Sequence, residues 1–122
     1  MTEKTKKIIY WGLTGLVAFV FLGSAMGKLT AAKEAIDMAE NFGLDKQSYF
    51  ILGIVELISV ILFIIPRTGV IGTLLLAAFL GGAIATHAEH GESIVAPCII
   101  QAMLFGVSFF RFPQLRAGLL NE

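Results

Sequence analysis

The sequence holds a single cysteine, Cys98, which excludes an intrachain disulfide and any Cys-x-x-Cys redox pair. Thiol-pair chemistry on a quinone or vitamin K would need sulfur from another chain. Charge is scarce as well. Only 15% of residues are Asp, Glu, Lys or Arg, and nine basic residues balance nine acidic ones. Without a basic excess there is no electrostatic footprint for nucleic acid, and no zinc-finger spacing or phosphate-cradling glycine motif occurs. The two histidines, His87 and His90, lie on one segment. A tight metal site needs three or four ligands, and haem held between helices usually takes histidines from different ones, so neither metal nor haem is expected.

What the sequence has in excess is apolar surface, 57% of its 122 residues. A soluble domain of this size buries roughly two thirds of its surface on folding, so this much oil would leave large exposed patches unless lipid covers them. The length suits one integral membrane domain over 1–122.

Four apolar runs, at about 8–27, 49–65, 70–88 and 94–110, predict an all-α transmembrane four-helix bundle. The first has no charge, and about 20 residues at about 1.5 Å each span a hydrocarbon core of about 30 Å. "MTEKTKK" opens like a signal peptide, but the run behind it is long for one and no cleavage pattern follows, so it reads as a retained helix. Pro66 with Thr68 and Gly69 reads as a tight turn, and Pro97 falls in the first turn of the fourth run.

Between the first two runs, Ala35, Ile36, Met38, Ala39 and Phe42 alternate with Lys33, Glu34, Asp37 and Glu40, the pattern of a short amphipathic interfacial helix. Thr30 is expected to cap its start and Gly43 its end. It either joins two spans or lies as a lid over the outer mouth. Gly23-x-x-x-Gly27, and Gly81 and Gly82 with Ala78 and Ala85, read as close-packing positions inside the bundle or as a dimer seam.

With both termini and the Pro66 turn on one side, that side collects Lys4, Lys6, Lys7, Arg67, Arg111 and Arg116. The other has Lys28, Lys33 and Lys46 against six acidic residues. The bias predicts both termini in the cytoplasm. Tyr10, Trp11 and Tyr49 fall at run ends as belt aromatics, and Cys98 reads as a small core residue.

Glu56 stands inside "GIVELISVILFIIP". A carboxylate at membrane depth costs from about 3 kcal/mol upward, so it must be protonated, paired or turned into the bundle. Counting from the run ends puts Glu56 and Gln101 at a similar depth in the outer half, near Ser24, Lys28, Thr86 and His87. The expected site is a network of Lys28, Glu56, His87 and Gln101, with Lys28 as cation, Gln101 as donor to the carboxylate, and His87 either donating or carrying a proton. It either ties the helices together or holds a polar head group. The inner half, with Phe19, Phe21, Leu62, Phe63, Leu74, Leu75, Phe105 and Phe109, offers no ionisable group. That argues against a channel or proton path and for a pocket closed inward.

The first span ending "GSAMGKL", the second reading "GIVELISVILFIIPRTGVIG" and "GGAIATHAEHG" closing the third resemble the DoxX-like family of small four-span membrane proteins, over nearly all of residues 8–115. The resemblance implies a bundle in the cytoplasmic (inner) membrane, with the family's polar positions at Lys28, Glu56 and His87. It also implies links to quinone-coupled sulfur oxidation, methylamine-utilisation maturation and redox stress; the missing thiol pair speaks against a thiosulfate or disulfide reaction here. Three functions follow as expectations. The first is a binding or accessory subunit holding a quinone or lipid-like amphiphile, working with a redox partner protein or as a homodimer. The second is an enzyme on a membrane-dissolved substrate with Glu56 and His87 as catalytic groups. The third is a structural interaction protein without a ligand.

Overall fold

The computed structural model describes residues 2–121. The protein is 86% helical, and no strand occurs among the described residues. Its helices are α1 (Glu3–Leu29), α2 (Lys33–Asn41), α3 (Lys46–Ile64), α4 (Gly69–Glu89), α5 (Val95–Arg111) and α6 (Pro113–Leu119), with a 3₁₀ turn at Pro66–Thr68 between α3 and α4. On length and composition α1, α3 and the Pro66–Glu89 segment each suffice to cross a membrane. The 17-residue α5 joins them as a fourth when taken with α6, which leaves it at 109°. Four long helices therefore stand where the four apolar runs predict them.

The ends of these helices follow local rules. Asp45 caps α3, its carboxylate accepting from Ser48 N at 2.6 Å. That backbone bond holds the Asp45 carboxyl below its ordinary range, so the cap is complete at neutral pH and is lost as pH falls through the lowered value. Gly43, at φ 71°, closes α2 as expected, with Leu44 N returning to Ala39 O and Gly43 N to Glu40 O. Gly91 does the same for α4. Thr30 does not cap α2: its hydroxyl bonds back to Met26 O, and it ends α1 instead, while Ala31 takes the left-handed position at φ 54°. The first helix simply runs further than its apolar stretch.

The long helices form a ring, α1 against α3 and α5, and α4 against α3 and α5. The ring is tight at the end that holds the termini. Its core there is Val17, Ala18, Phe21, Val60, Phe63, Leu76, Leu80, Leu104 and Val107. Every buried residue of α4 lies at or before Leu80, so the last turns of that helix, away from the termini, contribute no fully buried side chain. The expected filling of the half that holds the termini is found for Phe21 and Phe63, but Phe19, Leu74 and Phe105 are exposed, as an apolar solvent permits, and Leu75 borders a cavity. Cys98 is also exposed rather than part of the core.

The glycines expected to bring helices together do not do so. A side chain at Gly23, Gly81 or Gly82 would meet nothing, and one at Gly27 would reach only Ala35. The close approaches are elsewhere: Gly72 lies on the backbone of Leu62 and Phe63, and Gly69 under the Phe112 ring. Buried hydroxyls are satisfied locally, with Thr14 bonded to Tyr10 O, Ser59 to Val55 O, and Thr73 to Gly69 O. Thr73 also joins Ser108 across α4 and α5 at 3.0 Å.

Because α3 backbone cannot yield as a flexible side chain can, Gly72→Ala is expected to cost about 1–3 kcal/mol, the range for overpacking. A melting curve in detergent should show the loss. Gly81→Ala, with open space at its Cβ, should melt at or above the wild-type temperature in the same assay.

Candidate functional site

The seam between α1 and α3 sets the site. Gly53 has no side chain where one would come within 2.8 Å of Lys28 Cβ and 3.3 Å of Ala25 O, so the two helices touch at this level. Glu56, one turn further along α3, then meets α1 directly. Lys28 Nζ lies 3.0 Å from Glu56 Oε1 and donates to Ser24 Oγ at 2.6 Å, while Ser24 Oγ donates to the same Oε1 at 3.1 Å. The Glu56 side chain is 2% exposed and that of Lys28 9%. Among the described residues no protein donor reaches Glu56 Oε2. The Lys28 ammonium also faces two rings, Tyr49 at 5.1 Å and Phe79 at 5.5 Å.

Beside the pair, a cavity of about 650 Å³ opens among the four long helices, in the size range of small-molecule sites. Ser24, Lys28, Tyr49, Glu56, Thr86 and His87 supply its polar lining, and most of the remaining wall is aliphatic or aromatic. Met38, Phe42 and Leu44 close it from the α2 side, and the Phe42 ring packs on His87 at 4.9 Å and on His90 at 5.5 Å. Of the two roles weighed for the amphipathic helix, this geometry is that of a lid. A second, smaller hollow of about 200 Å³ lies beyond Lys28 and Tyr49, bordered by Glu40, Asp45 and Lys46.

The expected network is thus half assembled. Lys28 and Glu56 are paired, and both face the cavity together with His87. His87 does not donate to the carboxylate: its Nδ1 sits 2.6 Å from Ala83 O, which makes Nδ1 the donor and leaves Nε2 free. Gln101 is not a donor to Glu56 either. Its Nε2 bonds Ala77 O at 3.1 Å, pinning α5 to α4, and its Oε1 is buried without a partner. Depth alone had grouped these residues, and depth carries no information about which way around a helix a side chain turns.

Three residues gained roles that sequence reasoning did not assign. Tyr49, read as a belt aromatic, is 8% exposed and forms cavity wall. Phe79 completes the aromatic pair around the ammonium. Arg111, read as an inner-loop charge, is buried at the opposite end of the bundle, donating to Ile64 O at 2.6 Å between the rings of Trp11 and Phe112. The signal for it was present in "FFRFP", where an arginine is framed by aromatics at the end of a run.

Against known families, the DoxX-like family model matches residues 12–110, most of the chain, and the protein belongs to that family. No curated protein and no solved structure matches it.

Removing one member of a buried ion pair strands the other, at a cost of about 3–5 kcal/mol. Lys28→Met is therefore expected to melt far below wild type in detergent, and Lys28→Met with Glu56→Leu to recover most of the loss. Equal destabilisation by the single and double substitutions would show that the pair carries no coupling.

Proposed function

We propose that this DoxX-like family member is a binding or accessory protein of the cytoplasmic membrane that holds a quinone or lipid-like amphiphile in its outer cavity. The observation that carries this reading is the lining itself: apolar walls converge on a single buried ion pair, with a lid on the side away from the core. A site of that kind separates an oily body from a polar head. A purely structural role for the polar residues fits less well, because a network that served only to orient the helices would have no use for a space of about 650 Å³ beside it. Catalysis by Glu56 and His87 is the weaker alternative, since no hydrogen bond joins the two and each is already engaged by other groups.

Orientation belongs to the same proposal. Lys4, Lys6, Lys7, Arg67 and Arg116 gather at the tightly packed end, which supports cytoplasmic termini and a cavity in the half of the membrane away from the cytoplasm. Reporter fusions at either terminus should be active in the cytoplasm and silent outside it; the reverse pattern would refute this orientation.

Gly82 lines the cavity and has open space at its Cβ, whereas Gly81 beside it does not line it. Native mass spectrometry of gently extracted protein is expected to show a co-purifying small amphiphile on wild type and on Gly81→Phe, and its loss from Gly82→Phe. Absence of any bound mass from all three would count against the binding reading.

A further inference from the structure

Resting on that reading of the cavity, we propose a narrower class of occupant: an uncharged amphiphile whose head carries a free O–H, of the phenol, hydroquinone or alcohol type, with Glu56 Oε2 accepting that hydrogen. Charge gives the first constraint. Lys28 and Glu56 neutralise one another, and the cavity lining has no other Asp, Glu, Lys or Arg. Apart from His87, whose Nδ1 is spent on Ala83 O, the lining offers a phosphate or ammonium head no charged side chain that is not already paired, in surroundings where an unpaired charge is costly.

Hydrogen-bond valence gives the second. A carboxylate only accepts, and both protein donors, Lys28 Nζ and Ser24 Oγ, converge on Oε1. Oε2 is left without a donor from the protein. The ammonium has three hydrogens, two of them engaged by Ser24 and Glu56. What the pair lacks is therefore one donor and one acceptor, and a hydroxyl supplies both through a single oxygen. A quinone carbonyl or an ester supplies only the acceptor, and an ether oxygen cannot serve Oε2 at all. An occupant that displaces water from Oε2 without bringing a donor leaves that acceptor unmet, which is the larger penalty, so the O–H decides between otherwise similar molecules.

The walls give the third. The rings of Phe42, Tyr49 and Phe79 and the side chains of Leu52, Val55 and Ile100 surround the space beside the pair, which suits an aromatic or alkyl body. An oxidised and a reduced carrier of the same skeleton would thus be told apart at this site, the reduced form being held.

The test is a set of matched probes on the full-length protein in nanodiscs: a long-chain alkylphenol, its methyl ether, and the alkyl phosphate of the same length, with affinity read by native mass spectrometry or calorimetry. The phenol is expected to bind at least tenfold more tightly than the ether, and the phosphate more weakly still. In Glu56→Gln that preference should shrink to about threefold or less, while Gly82→Phe should weaken binding of every probe. Equal binding of phenol and ether to wild type overturns the head-group assignment and leaves the cavity reading standing, as does a phosphate that binds best. Failure of all probes to bind, or binding that Gly82→Phe does not change, defeats the cavity reading and the assignment with it. The wild-type comparison alone decides the head group even where Glu56→Gln does not fold.

Discussion

A carboxylate held at membrane depth is the constraint from which the rest of this structure follows. Glu56 cannot face lipid as an ion, so a cation has to reach it, and Lys28 does so from the last turn of α1. For that to happen the two helices must nearly touch, which Gly53 permits. Ser24 then closes the triangle on the same oxygen. The pair borders the cavity, so the unfilled hydrogen-bonding capacity on its far side becomes a chemical feature of that space.

The bundle is organised to protect that arrangement while leaving it accessible. At the end with the termini, Gly69 and Gly72 let α4 lie against Phe112 and the backbone of α3, and the aliphatic core fills the ring between. Arg111, stacked among rings and bonded to Ile64 O, ties α5 to the end of α3 at the same level. Beyond Leu80, α4 has no fully buried residue. The cavity is thus the consequence of packing that is tight at one end only. The short α2 returns across the opening and sets Phe42 on the histidine rings, so the lid and the wall are built from adjacent turns of different helices.

The sites that sequence reasoning misread share a cause. Gly23, Gly27, Gly81 and Gly82 have the spacing of a helix contact, yet spacing says that a face is smooth, not that a neighbour is on it; the contacts fall at Gly53, Gly69 and Gly72, which have no such pattern. Gln101 shares a depth with Glu56 but turns toward Ala77 O on α4. Tyr49 stands at a span end, where a belt aromatic would, but its azimuth carries it inward. In each case the position along the helix axis was legible and the rotation about it was not, because nearly all side chains in these runs are apolar and give no amphipathic stripe to orient by.

By itself the sequence determined the four long helices, their breaks at Pro66 and the Gly91 turn, the amphipathic segment between the first two, and the pairing of Lys28 with Glu56. These follow from hydrophobic run length, from backbone conformations open mainly to glycine and proline, and from the cost of a lone charge in lipid. Tertiary structure alone decided which faces meet, that a cavity lies in the half away from the termini, and that Glu56 keeps one oxygen unserved. Those properties depend on helix rotation and on how closely the helices pack at each end, and in a solvent as apolar as the side chains themselves neither is set by the pattern of residues along one helix; both emerge when the helices pack together.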